Sequence, residues 1–471
     1  MLVPGLWASR ASLCERWDAH GAGVGRRVVC AVRGRWASRA SLSEQWDAHA
    51  AGVGAEVSRL RLVMGQSLAI GQRSMGDPDI RYPLFPPLTT GCPKTSTDEL
   101  AYPVEVDYDY GAVPRSMFHA AAGQPTPAGQ PTPAGLDRWA PLLPPLAAPG
   151  LGEGGTPVVQ LEDGVFIKDE SRNPTWSHKD RLNRCAVSAA LASGAPGVVA
   201  ASSGNHGASA AAYAARAGLR CVVLLSAGTP PAVQSFVRAY GAVVLTVARG
   251  VRWPLLRRIV DHLGYHPVSN LTATHTGHPF GPEGYKTIAY ELVVELGLPG
   301  AVFVPTGYGE LLFGLYKGFD ELRRLGLTAG VPRLFSCEPA AGGPLASAIA
   351  QHRPAAAVEA RPTAAYAIGC TVSGYRGVVA LTGSGGEPLL LGDGELATAQ
   401  HELARAGLWH ELSAAAGLAG LRQLPGRRFD GPVVCIATSS GFKDLATGSG
   451  EHDVVEASWD AVSRQLRQAG L

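Results

Sequence analysis

The sequence predicts an α/β protein built on parallel or mixed sheets in two domains. Three observations carry this expectation. Short apolar runs recur along the chain: Val165-Phe166-Ile167, Val198–Ala201, Arg220–Leu225, Val243–Val247, Ala301–Pro305, Arg333–Glu338 and Val433–Ala437. Helical patterns such as Leu182–Leu191, Ala208–Ala217 and Thr287–Leu296 separate them, and strands alternating with helices imply parallel sheets with right-handed crossovers. At 471 residues the chain also exceeds one ordinary core.

The totals narrow the function classes. With 46% hydrophobic and 17% charged residues the composition is globular, and a net charge of +2 gives no reason to invoke nucleic acid or a charged membrane face. No stretch approaches the ~20 apolar residues that cross a bilayer. The 8 cysteines are scattered without a C-x-x-C pair, which predicts a reduced, cytoplasmic protein with neither a disulfide framework nor a metal site. Function is expected to come from a small-molecule site.

In chain order, residues Trp7–Gly25 recur almost unchanged as Trp36–Gly54, an offset of 29. Two copies are too few for a solenoid. Residues 1–80 therefore read as an appended, duplicated extension that is expected to be poorly ordered. Residues 81–150 carry one strand, within Tyr102–Tyr110, and a proline-rich linker in which Gln124–Gly129 repeats at once as Gln130–Gly135. Residues 151–450 form the expected catalytic region, with a smaller domain at about 185–290 inserted in the larger, and 451–471 a C-terminal helix.

Four stretches carry candidate chemistry. Asp169–Arg181 leads from a strand into a helix and places Lys179 at the junction, where loops hold functional groups. Ala201–Gly207 follows a strand and opens an alanine-rich helix with Ser202-Ser203-Gly204-Asn205-His206. Val304–Leu312 places Gly307 and Gly309 before a helix running to Leu325, and such a turn lets backbone N–H groups approach an anion. Cys435–Asp444 ends a strand in Thr438-Ser439-Ser440-Gly441.

In this order and spacing the stretches resemble the lysine motif, asparagine loop, glycine loop and C-terminal Thr-Gly-x-Gly-Leu-Lys-Asp of pyridoxal-phosphate enzymes of the tryptophan-synthase-β type. The resemblance is strongest to threonine synthases. It implies two three-layer domains with the cofactor in the cleft between them, and a homodimer acting on a small amino acid. By the same resemblance Lys179 joins the cofactor aldehyde, and Asn205 meets the ring 3′-oxygen. Gly307, Tyr308, Gly309, Glu310 and Leu311 then cradle the phosphate, and Thr438 faces the pyridine nitrogen. Ser177, Ser203, Gly204 and His206 would hold the substrate.

The chain departs from the family at three places. Trp176 and His178 stand for the glycine and phenylalanine of Pro-Thr-Gly-Ser-Phe-Lys-Asp-Arg, and Glu310-Leu311 for a Gly-Asn. His206 stands where threonine is common in threonine synthases and histidine in dehydratases. The expected activity is a pyridoxal-phosphate lyase or synthase, with threonine synthase chemistry in the lead. A serine or threonine dehydratase, or a β-replacing synthase, remains as an alternative. A non-catalytic, cofactor-binding regulatory protein is the alternative of another class.

Overall fold

The computed structural model describes residues 66–119, 133–202, 204–227, 229, 231–443, 455–468 and 470. The duplicated segment, most of the Gln-Pro-Thr-Pro-Ala-Gly repeat, Ser203 and Asp444 lie outside them. Three strands come first: β1 (Ala69–Ser74), β2 (Arg81–Tyr82) and β3 (Val104–Tyr108), antiparallel in the order β2-β1-β3.

Residues 66–80 fall within the extension expected to be poorly ordered, and β1 corrects this. Its inward position is the polar Gln72, so the run lacks an apolar signature. Nε2 of Gln72 donates to the carbonyls of Pro83, Leu84 and Pro86, and its Oε1 accepts from the Leu88 amide. A fully satisfied amide takes the place of a core hydrocarbon.

The chain goes on as β4 (Val158–Glu162), β5 (Val165–Asp169), α1 (Lys179–Ala192), β6 (Gly197–Ser202), α2 (Asn205–Arg216), β7 (Arg220–Ser226), α3 (Pro231–Ala239), β8 (Val243–Val247), α4 (Arg252–Leu263), β9 (His266–Pro267) and α5 (Gly281–Leu296). It continues with β10 (Ala301–Pro305), α6 (Glu310–Arg324), β11 (Arg333–Pro339), α7 (Pro344–Ala350), α8 (Tyr375–Ser384), β12 (Glu387–Leu391), α9 (Asp393–Arg405), α10 (Ala416–Arg422), β13 (Val433–Ala437) and α11 (Trp459–Gln468).

Two sheets organise these elements. A six-stranded sheet runs β12-β11-β10-β13-β5-β4, parallel except for the β4–β5 hairpin. A four-stranded parallel sheet runs β8-β7-β6-β9, and its strands fall between β5 and β10 in the chain. Strands such as β10 are buried along their whole length, as expected for parallel strands covered on both faces. In the six-stranded sheet β13 lies between β10 and β5, so the loops after all three leave the sheet side by side. That adjacency brings together Lys179, the Gly307 turn and Thr438. Among the described residues no helix is long and apolar enough to cross a membrane.

Candidate active site

Lys179 is the first residue of α1, beyond the carboxyl end of β5. The loop before it is held by Asp180, whose carboxylate accepts from the Thr175 amide at 2.6 Å and Thr175 Oγ1 at 2.5 Å. Arg181 is fully buried between Glu170, on the exit of β5, and Glu291 of α5, with contacts of 2.6–2.8 Å. A buried guanidinium is tolerable only when so fully paired. Helices α1 and α5 touch at Gly284, where an added Cβ would lie 2.0 Å from the Arg181 carbonyl oxygen. This close approach sets Nζ of Lys179 3.0 Å from the Tyr285 hydroxyl. Burial lowers the Lys179 amine below its ordinary pKa against the pull of Glu310, which favours the nucleophilic free base.

The departures beside the lysine are built into this geometry. His178 stacks on Tyr285, with ring centroids 5.2 Å apart and 29° between planes. Its backbone N–H donates to the Thr438 carbonyl at 3.0 Å, and Nδ1 lies 3.1 Å from the same oxygen. Burial holds the imidazole neutral, so Nδ1 can carry the donated proton. Trp176 keeps the left-handed backbone suited to a glycine, with φ of 62°, while its ring packs edge-on against Phe236. Its carbonyl accepts from the Ser440 amide and Ser439 Oγ, each at 3.1 Å. The lysine loop and the Thr438 loop are thereby one hydrogen-bonded unit.

One cavity is lined by Lys179, Gly204, Asn205, His206, Gly307, Tyr308, Gly309, Glu310, Leu311 and Thr438. These are most of the residues singled out from the sequence. Asn205 opens α2, and its Oδ1 accepts from Lys443 Nζ at 2.8 Å and lies 3.2 Å from Ser439 Oγ. Its Nδ2 donates to Glu411 at 2.9 Å and carries a second hydrogen. Gly307 and Gly309 form the turn into α6, Gly309 with φ of 86°. An added Cβ at Gly309 would lie 3.0 Å from the Gly377 Cα, so the backbone passes where no side chain fits.

Other expected residues are placed differently. Ser177 is fully buried and off the cavity wall; its backbone bridges Ser439, which leaves its hydroxyl in the interior without a partner among the described residues. The Gly204 amide, expected on a substrate carboxylate, donates instead to Ser202 Oγ at 3.0 Å. The His206 ring is engaged by Asn183 at 3.2 Å and Ser269 at 3.0 Å, and burial lowers its pKa to about 3. Ser203 lies outside the described residues. Lys286 of α5 is spent on Glu283 and Glu321 at 2.7 and 2.9 Å. His275 stands on the cavity wall and stacks on Tyr308 at 4.1 Å.

Sequence reasoning passes over Arg252, Tyr285, Glu411 and Lys443. Arg252 opens α4 and Glu411 precedes the turn into α10; both line the cavity. Neither sits in a motif with a chemical signature of its own. Lys443 lies inside the Cys435–Asp444 stretch, and burial lowers its amine to about 8.

The donor set fits pyridoxal phosphate: a buried amine, a backbone turn at a helix N-terminus for an anion, a hydroxyl residue and an amide on one cavity. A family model described as pyridoxal-phosphate dependent enzyme matches residues 150–439. A threonine synthase of Methanosarcina acetivorans is 31% identical over 405 residues, covering 79% of this chain and 96% of that protein. A threonine synthase of Halalkalibacterium halodurans is 35% identical over 324 residues, covering 64% and 87%. Among solved structures, the processed form of threonine deaminase isoform 2 from Solanum lycopersicum superposes with a TM-score of 0.51 at 18% identity, covering 67% of this chain and 88% of that one. Maize serine racemase does so with a TM-score of 0.53 at 19% identity, covering 67% and 94%. The chain therefore belongs to the pyridoxal-phosphate dependent enzymes of fold type II, and its chemistry is that of a lyase or synthase using this cofactor.

Proposed function

We propose that the protein converts O-phosphohomoserine and water to threonine and phosphate, with Lys179 as the cofactor-linked lysine. The observation that carries this reading is one cavity holding the Lys179 amine at one point and the buried Arg252 guanidinium at another. When bound, pyridoxal phosphate acts as an electron sink for the substrate carbon next to the amino group.

The chain's own groups do the rest. Lys179 Nζ, a free base favoured by burial, takes the proton from Cα and returns it along the substrate. Tyr285 holds Nζ in place at 3.0 Å. The second Nδ2 hydrogen of Asn205 orients the ring oxygen, and Lys443 and Glu411 fix that amide. Thr438, a hydroxyl, leaves the pyridine nitrogen largely unprotonated, which suits elimination and replacement over transamination. The first-turn amides of α2 at Asn205 and His206 receive the substrate carboxylate, since helix N-termini attract anions. Arg252 pairs with the substrate phosphate, which a guanidinium can meet with two parallel N–H···O bonds. Stacked Tyr308 and His275 wall the cavity, and the water that replaces the phosphate enters past them.

Residues 151–450 are the catalytic region in this reading, with about 185–290 as the smaller domain. The family resemblance implies a cytoplasmic homodimer, which light scattering on the purified protein checks. Incubation with O-phosphohomoserine should release phosphate and threonine in equal amounts. Keto acid from threonine or serine, without threonine formation, would move the assignment to a dehydratase.

A further inference from the structure

Glu310 is the first residue of α6, immediately after the left-handed Gly309, and it lines the cavity. A carboxylate there competes with any anion for the same helix N-terminus. Its side chain is turned onto Gly277, which has φ of 60° and where an added Cβ would lie 1.9 Å from Oε1. Only glycine leaves room for the carboxyl group. Oε1 is buried and has no hydrogen-bond partner among the described residues.

The groups facing this carboxyl come from four elements. Arg376 of α8 approaches Oε1 to 3.8 Å, but its guanidinium already donates to the carbonyls of Thr276 and Val104. His275, in the loop before α5, places Nε2 3.9 Å from Oε2, and His278 follows in the same loop. Both imidazoles are held neutral, chiefly by burial. Lys179 of α1 and Tyr285 of α5 act on it electrostatically, the phenol kept protonated by burial. Burial outweighs Arg376, Lys179 and the His278 backbone amide, and raises the Glu310 carboxyl above the usual range.

We propose that Glu310 enters the cofactor's phosphate site as a neutral acid, so that binding of pyridoxal phosphate takes one proton from solvent onto Glu310. The new O–H then donates to a phosphate oxygen, and the phosphate stays dianionic. A residue that as a carboxylate would repel the phosphate becomes a hydrogen-bond donor to it. This inference rests on the reading that the turn at Gly307–Leu311 holds the phosphate.

The test compares pyridoxal phosphate with pyridoxal, which lacks the phosphate, on the apoprotein between pH 7 and 9. Titration of Lys179 affects both probes equally and cancels in the ratio of their affinities. That ratio is expected to fall with rising pH, by up to about tenfold per pH unit, and to lose its pH dependence in Glu310→Gln. Calorimetry in two buffers of different ionisation enthalpy gives a second readout that needs no variant: about one more proton taken up with pyridoxal phosphate than with pyridoxal. A flat ratio with equal proton uptake, or an unchanged slope in Glu310→Gln, overturns the proposal. If neither probe binds the unaltered protein, the cofactor reading of the cavity itself fails.

Discussion

The Tyr285 hydroxyl lies 3.0 Å from Nζ of Lys179, and the opposite contact of its ring is the face of His178. A phenol held neutral by burial thus fixes the amine, while the residue next to that amine fixes the phenol. Replacing Tyr285 by Phe keeps the stack and removes the hydrogen bond. We expect kcat to fall by roughly fivefold to tenfold and stability by about 1 kcal/mol, the ordinary worth of one such bond. Steady-state kinetics and thermal unfolding check both.

Trp176 tests the backbone beside the lysine. Trp176→Gly and Trp176→Ala both lose the ring contact with Phe236, but only glycine is at ease at φ of 62°. The glycine variant should be more stable than the alanine variant by about 1 kcal/mol. Denaturant unfolding of the two, compared directly, measures the difference.

The packing of α1 against α5 gives a third expectation. Gly284→Ala forces the Arg181 carbonyl away and should cost roughly 1–3 kcal/mol. It should also weaken cofactor binding, because the displaced turn carries Lys179. Unfolding measurements and cofactor titration of the same preparation separate the two effects.

Stability should fall steeply in mild acid. His178, His206, His266, His275, His278 and His410 all have pKa values lowered by burial, His206 to about 3 and His266 to about 4. Below the unfolded value of about 6.5 the unfolded chain binds protons that these rings refuse, so each contributes a loss of about 1.4 kcal/mol per pH unit. Asp180 and Glu338, raised by burial to about 6 and about 7, titrate in the opposite sense, as do Glu295 and Glu310, whose carboxyls burial also raises, but they are fewer. A net loss of stability between pH 6 and 5 follows, measurable by denaturant unfolding at each pH.

The sheet scaffold and the motif loops are legible in the sequence for a physical reason. Strands β10 and β13 are uninterrupted apolar runs between turn residues, and they occupy Ala301–Pro305 and Val433–Ala437 as expected. Their shortness and flanking turn residues favour buried parallel strands over helix. β1 is hidden because its inward side chain is Gln72, satisfied by backbone carbonyls. The cavity's second ring of groups is hidden for a different reason. Tyr285 reaches Lys179 across 106 residues and Glu411 reaches Asn205 across 206, contacts that exist only once the sheets have assembled. Gly204 and Ser177 have the right neighbourhood, but a local bond to Ser202 fixes the first and a bridge to Ser439, far along the chain, the second.

Two lysines, Lys179 and Lys443, line the cavity, and burial lowers both amines. Borohydride reduction of the protein loaded with pyridoxal phosphate, followed by peptide mass mapping, shows which one carries the cofactor. The expected result is a single modified peptide containing Lys179, and loss of the visible-edge absorbance band in Lys179→Ala. Modification at Lys443 with the band intact in Lys179→Ala would contradict the assignment.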